Sequence, residues 1–281
     1  MLSTENHSRD SAGLKYVYPV ISRRAGGLSI GINLNTNHAC NWRCIYCQVP
    51  NLVRGQPEPV NLDQLRAELT SLLHECLSGD FFERHEVDTT QRIIRDIALS
   101  GNGESTVSDE FAAVMELIAE VIIDQRVPST VNKVLITNGG GVGQDPVQAG
   151  LSTLAAMGGE VWFKLDAATT EEIRRINQVH ITPDTIKHRL EIVTRLCRTR
   201  LQTCLFGEGT LKPDSALIKH YLDFLSDIKR QGIILEGVLL YGLARPSMQA
   251  EAPRLTRLPP DEIEAVAESI RQLGYEVKGS W

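Results

Sequence analysis

Long apolar runs are missing from this sequence. No stretch approaches the ~20 consecutive apolar residues that a helix needs to cross a bilayer, so no membrane partner is expected. A surplus of basic charge is missing too. The chain has 29 Lys and Arg against 35 Asp and Glu, a formal net charge of −6. Proteins that coat nucleic acid draw affinity from excess cations, which leaves only a local basic patch for that purpose here. Low-complexity tracts and internal repeats of identity are absent. A composition with 42% hydrophobic and 23% charged residues is that of a globular protein and excludes disorder as the dominant state. Met1 to Lys15 is polar and has no basic region followed by an apolar stretch, so it reads as a loose arm and not as a secretory leader.

What is present begins with cysteine. Six cysteines would allow three disulfides, but Cys40, Cys44 and Cys47 crowd together while Cys76, Cys197 and Cys204 are scattered. Disulfide scaffolds are short and cysteine-dense, and this chain is neither. The clustered thiols therefore read as metal ligands in a reducing, cytoplasmic compartment. The scattered three do not form a ligand set and read as buried structural cysteines.

Short runs rich in Ile, Val and Leu alternate with longer amphipathic stretches. Strands are predicted at 28–35, 92–100, 132–138, 160–166, 200–206 and 233–241. Helices are predicted at 62–78, 109–124, 146–157, 183–198, 214–231 and 260–273, with a short extra helix at 170–176. Asn61, Thr169 (with Glu172) and Thr182 (before Pro183) supply amino-terminal caps. Gly79, Gly232 and Gly274 supply carboxyl-terminal stops, Gly79 in the left-handed conformation. Six strand–helix units imply a parallel sheet. An open doubly wound sheet and a barrel, complete or not, both fit the pattern. No linker divides the chain, so the expectation is a polar arm over 1–18 and one domain over 19–281. The segment Asp80–Gln91, with Phe81 and Phe82, falls at the amino-terminal face and reads as a local staple.

The chemistry sits after the first predicted strand, in Asn37-His38-Ala39-Cys40-Asn41-Trp42-Arg43-Cys44-Ile45-Tyr46-Cys47-Gln48. Ligands of parallel α/β folds bind at that end. Soft sulfur donors select iron–sulfur clusters, zinc or copper(I). A closed zinc site or a closed 4Fe–4S cluster takes four protein ligands, and only three thiols are here. His38 lies too close to Cys40 to serve the same metal well. Three ligands on a cubane leave one iron open to a small molecule. A structural zinc loop and three packed cysteines are the blander alternatives.

The Cys-x3-Cys-x2-Cys motif, with Tyr46 before its last cysteine, resembles the radical S-adenosylmethionine superfamily. The resemblance implies an incomplete (β/α)6 TIM-like barrel. It also implies a 4Fe–4S cluster held by Cys40, Cys44 and Cys47, with S-adenosylmethionine chelating the open iron. One-electron reduction by a donor such as flavodoxin or ferredoxin would release methionine and a 5′-deoxyadenosyl radical, which abstracts hydrogen from a substrate that the sequence does not name. By the same resemblance Tyr46 lies near the adenine. Gly101, Asn102, Gly103 and Glu104 form the turn that binds the cofactor's amino group. Thr137 and Asn138 reach its ribose or carboxylate, and Lys164 and Asp166 reach cofactor or substrate. Arg23, Arg24 and Arg245 are candidates for an anionic group, and Glu208 for the pocket.

The branch resembled includes wyosine-type transfer-RNA modifying enzymes. Ser22-Arg23-Arg24, Lys164-Leu165-Asp166-Ala167, Ile176-Asn177 and Arg245-Pro246 carry that likeness. No cysteine precedes Cys40, so the extra cysteine set of minimal wyosine synthases has no counterpart, and modification of a transfer RNA is the alternative function. An iron–sulfur electron carrier or sensor is the alternative of another class.

Overall fold

The computed structural model describes residues 13–22, 26–208 and 215–280. Eight strands form one sheet, and their spatial order is their chain order. They are β1 (Val17–Ser22), β2 (Gly27–Ile32), β3 (Ile94–Leu99), β4 (Asn132–Thr137), β5 (Glu160–Lys164), β6 (Arg198–Leu205), β7 (Gly237–Gly242) and β8 (Val277–Ser280). β1 runs antiparallel to β2, and every other neighbour pair is parallel. The sheet curls but stays open between β1 and β8 among the described residues. This is the incomplete barrel, and it excludes the doubly wound alternative, whose strand order reverses part-way.

The helices on the outside are α1 (Leu62–Ser78), α2 (Phe111–Asp124), α3 (Asp145–Ala156), α4 (Thr170–Ile176), α5 (Pro183–Leu196), α6 (Ser215–Arg230) and α7 (Pro260–Gln272). α1 shows why they form. The Asn61 side chain accepts from the Gln64 amide, and Leu65, Leu69, Leu72, Leu73 and Cys76 make one buried stripe. The capping box of Thr169 and Glu172 is in place, as is the Thr182 cap. Gly232 and Gly274 adopt positive φ. Gly79 corrects an expectation: its φ of −98° is not left-handed. Glycine is needed there because a Cβ would come within 2.9 Å of the Glu75 carbonyl oxygen.

Two strands escaped the sequence reading. β8 is four residues long. β1 begins inside the stretch read as a loose arm and carries Pro19 near its centre. Pro19 is tolerated because β1 lies at the end of the sheet among the described residues, next to β2. Tyr16, Val17 and Tyr18 are buried, and the Tyr18 ring lies over Gly31, where a Cβ would meet it at 2.1 Å.

A buried carboxylate fixes the start of β1. Glu68 on α1 accepts from the backbone N–H groups of Lys15 (3.1 Å), Tyr16 (2.8 Å) and Val17 (3.2 Å). Replacing it leaves those donors unpaired and costs about 3 kcal/mol. Glu68→Ala is therefore expected to lower the denaturant midpoint markedly. Unchanged stability in urea would refute the role of Glu68.

Candidate functional site

Because seven strands run parallel, their carboxyl ends meet at one mouth of the barrel, and a cavity of about 660 Å³ opens there. Cys40, Cys44, Cys47 and Tyr46 line it, as do the turn 100–104, Thr137, Asn138, Lys164, Gln202, Cys204, Tyr241 and Arg245. Of the residues predicted to hold cluster or cofactor, Asp166 is the one not on the wall. Glu208 is also off the wall, held in ion pairs with Arg175 and Arg254. Arg23 and Arg24 lie outside the described residues.

The cysteine loop has little regular structure, so its shape is imposed by hydrogen bonds from elsewhere. The amides of Arg43 and Ile45 donate to the carbonyls of Asn177 (3.2 Å) and Ile176 (2.9 Å) at the end of α4. Asn177 Nδ2 donates to Cys44 Sγ at 3.3 Å and to Asp166 Oδ2 at 2.9 Å. The other face of the loop is strapped by the segment after β7. There the Cys47 carbonyl accepts from Met248 N (2.9 Å), Ser247 Oγ (3.1 Å) and Gln249 Nε2 (3.4 Å). Arg43 and Glu251 close the strap with a two-point ion pair at 3.0 and 3.2 Å. Burial opposes the charge on Glu251, but Arg43 and Gln178 outweigh it and hold its carboxyl below the ordinary glutamate range.

Asp166 is a node behind the wall. Its Oδ2 accepts from the Tyr46 hydroxyl (2.5 Å) and Asn177, and its Oδ1 accepts from the Cys204 amide (3.0 Å). It thus fixes the tyrosine ring, the cysteine loop and the end of β6 together. Its role is to hold residues that face the cavity.

Glu104 is likewise committed to the protein. Oε1 accepts from Thr106 N (3.1 Å), Thr106 Oγ1 (2.7 Å) and Thr137 Oγ1 (2.5 Å), and Oε2 accepts from Asn138 N (2.6 Å). Three donors crowd Oε1 and one takes Oε2. The acid therefore joins the ends of β3 and β4, and the backbone of the turn is what faces the cavity. The amide of Asn138 pairs with that of Asn41 (2.9 Å), which ties the cysteine loop to β4. The glycines of the turn answer a space demand. A Cβ on Gly101 would lie 2.3 Å from Asn33 Oδ1, and one on Gly103 would lie 2.1 Å from the Ala39 carbonyl oxygen.

The donor set fits a cluster. Among the described residues no three His, Cys, Asp or Glu side chains converge to hold one metal ion. A cubane takes each thiolate on a different iron, and the three thiols that line one wall are donors of that type. Burial pushes the Cys40 and Cys44 thiols up to about 12, so these sulfurs give up their protons only to a strong cationic centre.

Sequence reasoning missed Asn33, Asn35, Asn177, Ser247, Gln249 and Glu251 as residues that shape the site. The Ile176-Asn177 pair was at least visible as part of the family likeness. Cys76 and Cys197 are buried as predicted, but Cys204 also faces the cavity.

Two outcomes are expected. Asp166→Ala strands three donors in the interior and should cost about 3 kcal/mol, with a lower yield of cluster on reconstitution. Normal stability with full iron content would refute the node. Second, the chain without cluster should lose stability from about pH 8.5 upward, where unfolded thiols ionise. The thiols of Cys40, Cys44 and Cys76 are pushed to about 12 by burial and that of Cys197 to about 11. A raised folded value favours the protonated folded form, so this contribution is full below the unfolded value and is lost as pH climbs through the folded one. A flat stability profile between pH 8 and 11 (roughly that window) would contradict it.

No protein-family model matches the chain, and no curated protein matches it by sequence. Solved structures do. A structure of TYW1 with a lysine-pyruvate adduct bound superposes with a TM-score of 0.55 at 16% identity, over 88% of this chain and 74% of that one. A radical SAM methyltransferase from Sphaerobacter thermophilus gives 0.58 at 12% identity, over 90% of this chain and 66% of that one. A structure of anSMEcpe with bound AdoMet and a peptide gives 0.54 at 12% identity, over 87% of this chain and 58% of that one. This chain therefore spans less than two thirds of the length of the last two. With its open eight-stranded sheet and its cavity at the carboxyl ends of the strands, the chain has the fold that radical SAM enzymes share.

Proposed function

We propose that this chain is a radical S-adenosylmethionine enzyme. Cys40, Cys44 and Cys47 would hold a 4Fe–4S cluster, and the cavity beside them would hold S-adenosylmethionine and an organic substrate. The observation that carries this reading is a convergence: the Cys-x3-Cys-x2-Cys thiols and the glycine turn 100–104 line one cavity at the carboxyl ends of the parallel strands. When bound, cluster and cofactor supply a 5′-deoxyadenosyl radical that abstracts hydrogen from the substrate.

The chain's own residues set the conditions for that chemistry. Asn177 donates to the Cys44 sulfur, a contact of the type that tunes a cluster's reduction potential. Tyr46 offers a ring whose tilt is fixed by Asp166 and by Phe206, 5.6 Å away between centroids. The turn at Gly101 to Gly103 lets backbone approach a ligand with no side chain between them. Trp42, Leu52, Ile136 and Leu243 add apolar wall, which excludes water from a reactive species. A one-electron donor such as flavodoxin or ferredoxin would deliver the electron.

After anaerobic reconstitution, dithionite and S-adenosylmethionine are expected to yield 5′-deoxyadenosine and methionine. In Cys44→Ala the yield should fall to background while the circular dichroism spectrum stays that of the parent. Cleavage that survives the substitution would overturn the assignment. A wild-type cluster that cycles electrons but never cleaves the cofactor would make the protein an electron carrier.

A further inference from the structure

One thiol faces the cavity without serving the cluster. Cys204, on β6, lines the wall with Tyr46 and Tyr241. The other two scattered cysteines are packed elsewhere: Cys76 lies in the buried stripe of α1, and the Cys197 sulfur contacts the Gly159 carbonyl oxygen at 3.5 Å. Cys204 is set beside the cysteine loop. Its amide donates at 3.0 Å to Asp166, the carboxylate that also holds Tyr46, and Cys44 is close enough to act on its sulfur electrostatically. An S–H bond is weaker than an aliphatic C–H bond, so a carbon radical formed in this cavity takes the hydrogen of a thiol that it touches. Alanine would carry no such liability there.

The thiol is equipped for that transfer. Burial pushes its pKa up and keeps it protonated, and a thiolate has no hydrogen atom to give. The Tyr241 hydroxyl is hydrogen-bonded to its sulfur and accepts from the Lys164 ammonium at 3.1 Å. In the sheet Cys204 stands in register with Tyr241, and Gln202 with Lys164. An ammonium, a phenol and a thiol thus form a chain along which a proton can reach the sulfur. A second group marks an occupant beside the thiol. Gln202 lies two residues earlier on the same face of β6. It is only 3% exposed and lines the cavity, yet its side-chain amide has no hydrogen-bond partner among the described residues. A buried amide left unpaired is costly until a ligand meets it.

We propose that Cys204 is the hydrogen-atom donor that ends the reaction. Abstraction leaves a carbon radical on the substrate. The Cys204 S–H bond then breaks and a C–H bond forms: carbon gains one electron and one proton, and sulfur is left as a thiyl radical. One electron from a flavodoxin or ferredoxin and one proton from the Tyr241 hydroxyl restore the thiol. Lys164 returns a proton to Tyr241 and recovers its own from solvent in the cavity. This rests on the radical-enzyme reading and adds the reaction class. The reaction is a rearrangement or addition whose product carries a hydrogen from an exchangeable thiol, and not a net oxidation, which needs no such donor.

Two measurements test it. In the protein without cluster, infrared spectroscopy should show an S–H band that is missing from Cys204→Ala, that becomes S–D in heavy water and that shifts in Tyr241→Phe. Absence of the band would overturn the proposal, because the sulfur would then be a thiolate, and so would a band that heavy water leaves unchanged. In the second measurement, cluster-loaded protein is given S-adenosylmethionine and titanium(III) citrate in heavy water, with no substrate and no added thiol. The 5′-deoxyadenosine formed is expected to carry deuterium from Cys204. In Cys204→Ala the deuterated fraction should fall to background while the iron content stays that of the parent. Tyr241→Phe should slow the turnovers after the first more than the first itself, and equal rates in parent and variant would remove the tyrosine from the proton path. Deuterium retained in Cys204→Ala would overturn the proposal, and loss of iron from that variant would make the sulfur a cluster ligand instead. Cleavage without deuterium in the parent overturns this proposal alone, whereas no cleavage at all overturns the radical-enzyme reading and this proposal with it.

Discussion

The site depends on one buried carboxylate behind the cavity wall. Asp166 takes the Tyr46 hydroxyl, the Asn177 amide and the Cys204 backbone N–H on its two oxygens. Through Asn177 it also acts on Cys44. A loop with so little regular structure has no internal ladder of hydrogen bonds to define it, and three thiols a few residues apart would otherwise sample many arrangements. Asp166 removes that freedom from the barrel side, and the strap from Ser247 to Glu251 removes it from the other. In a low-dielectric interior a carboxylate with three such donors is worth more than an exposed one, and its loss is correspondingly severe. The geometry of the thiols is thus a property of the whole barrel, because the groups that set it come from β5, α4, β6 and the segment after β7.

The same logic explains the glycines. Gly101 and Gly103 lie where the turn after β3 presses against Asn33, Asn35 and the start of the cysteine loop. Gly140 and Gly141 lie where the turn after β4 meets Asn41 and the Thr106 carbonyl. None of these four has positive φ. They are required for contact between neighbouring loops, with Glu104 as the rivet that joins the two turns. A glycine-rich turn in sequence is easily read as a cradle for ligand. Here it is first a joint between strand ends, and only the backbone left facing the cavity is offered to a ligand.

The barrel and the cysteine loop were legible in the sequence because both are written locally. Strands β2 to β7 announce themselves as apolar runs between capped helices, and a Cys-x3-Cys-x2-Cys spacing is confined to eight residues. β1 was hidden because Pro19 contradicts a strand unless the strand lies at an edge, and edge position is a property of the finished sheet. Glu104 lines the cavity as expected, but its bonds to the neighbouring turn were not legible, since the Thr137 hydroxyl that donates to it is 33 residues away. Asn177, Ser247 and Gln249 act across separations of 133 to 202 residues, and nothing in their local sequence distinguishes them from surface residues. Cys204 looked structural for the same reason: only the register of β6 against β7, with Cys204 beside Tyr241, turns its side chain toward the mouth.

The open sheet gives the mouth two unlike halves. β3 and β4 end in glycine turns whose polar side chains are spent on one another, so this side presents mainly backbone. β5, β6 and β7 end in long side chains, Lys164, Gln202 and Tyr241, that extend into the cavity. Backbone suits a constant partner, because it recognises shape and cannot be altered by substitution. Side chains suit a partner that differs from one enzyme to the next. The division of labour follows from strand order. The cysteine loop leaves β2, so the turns after β3 and β4 are beside it in the sheet and bond to it, while the ends of β5, β6 and β7 line the same cavity from further along the sheet.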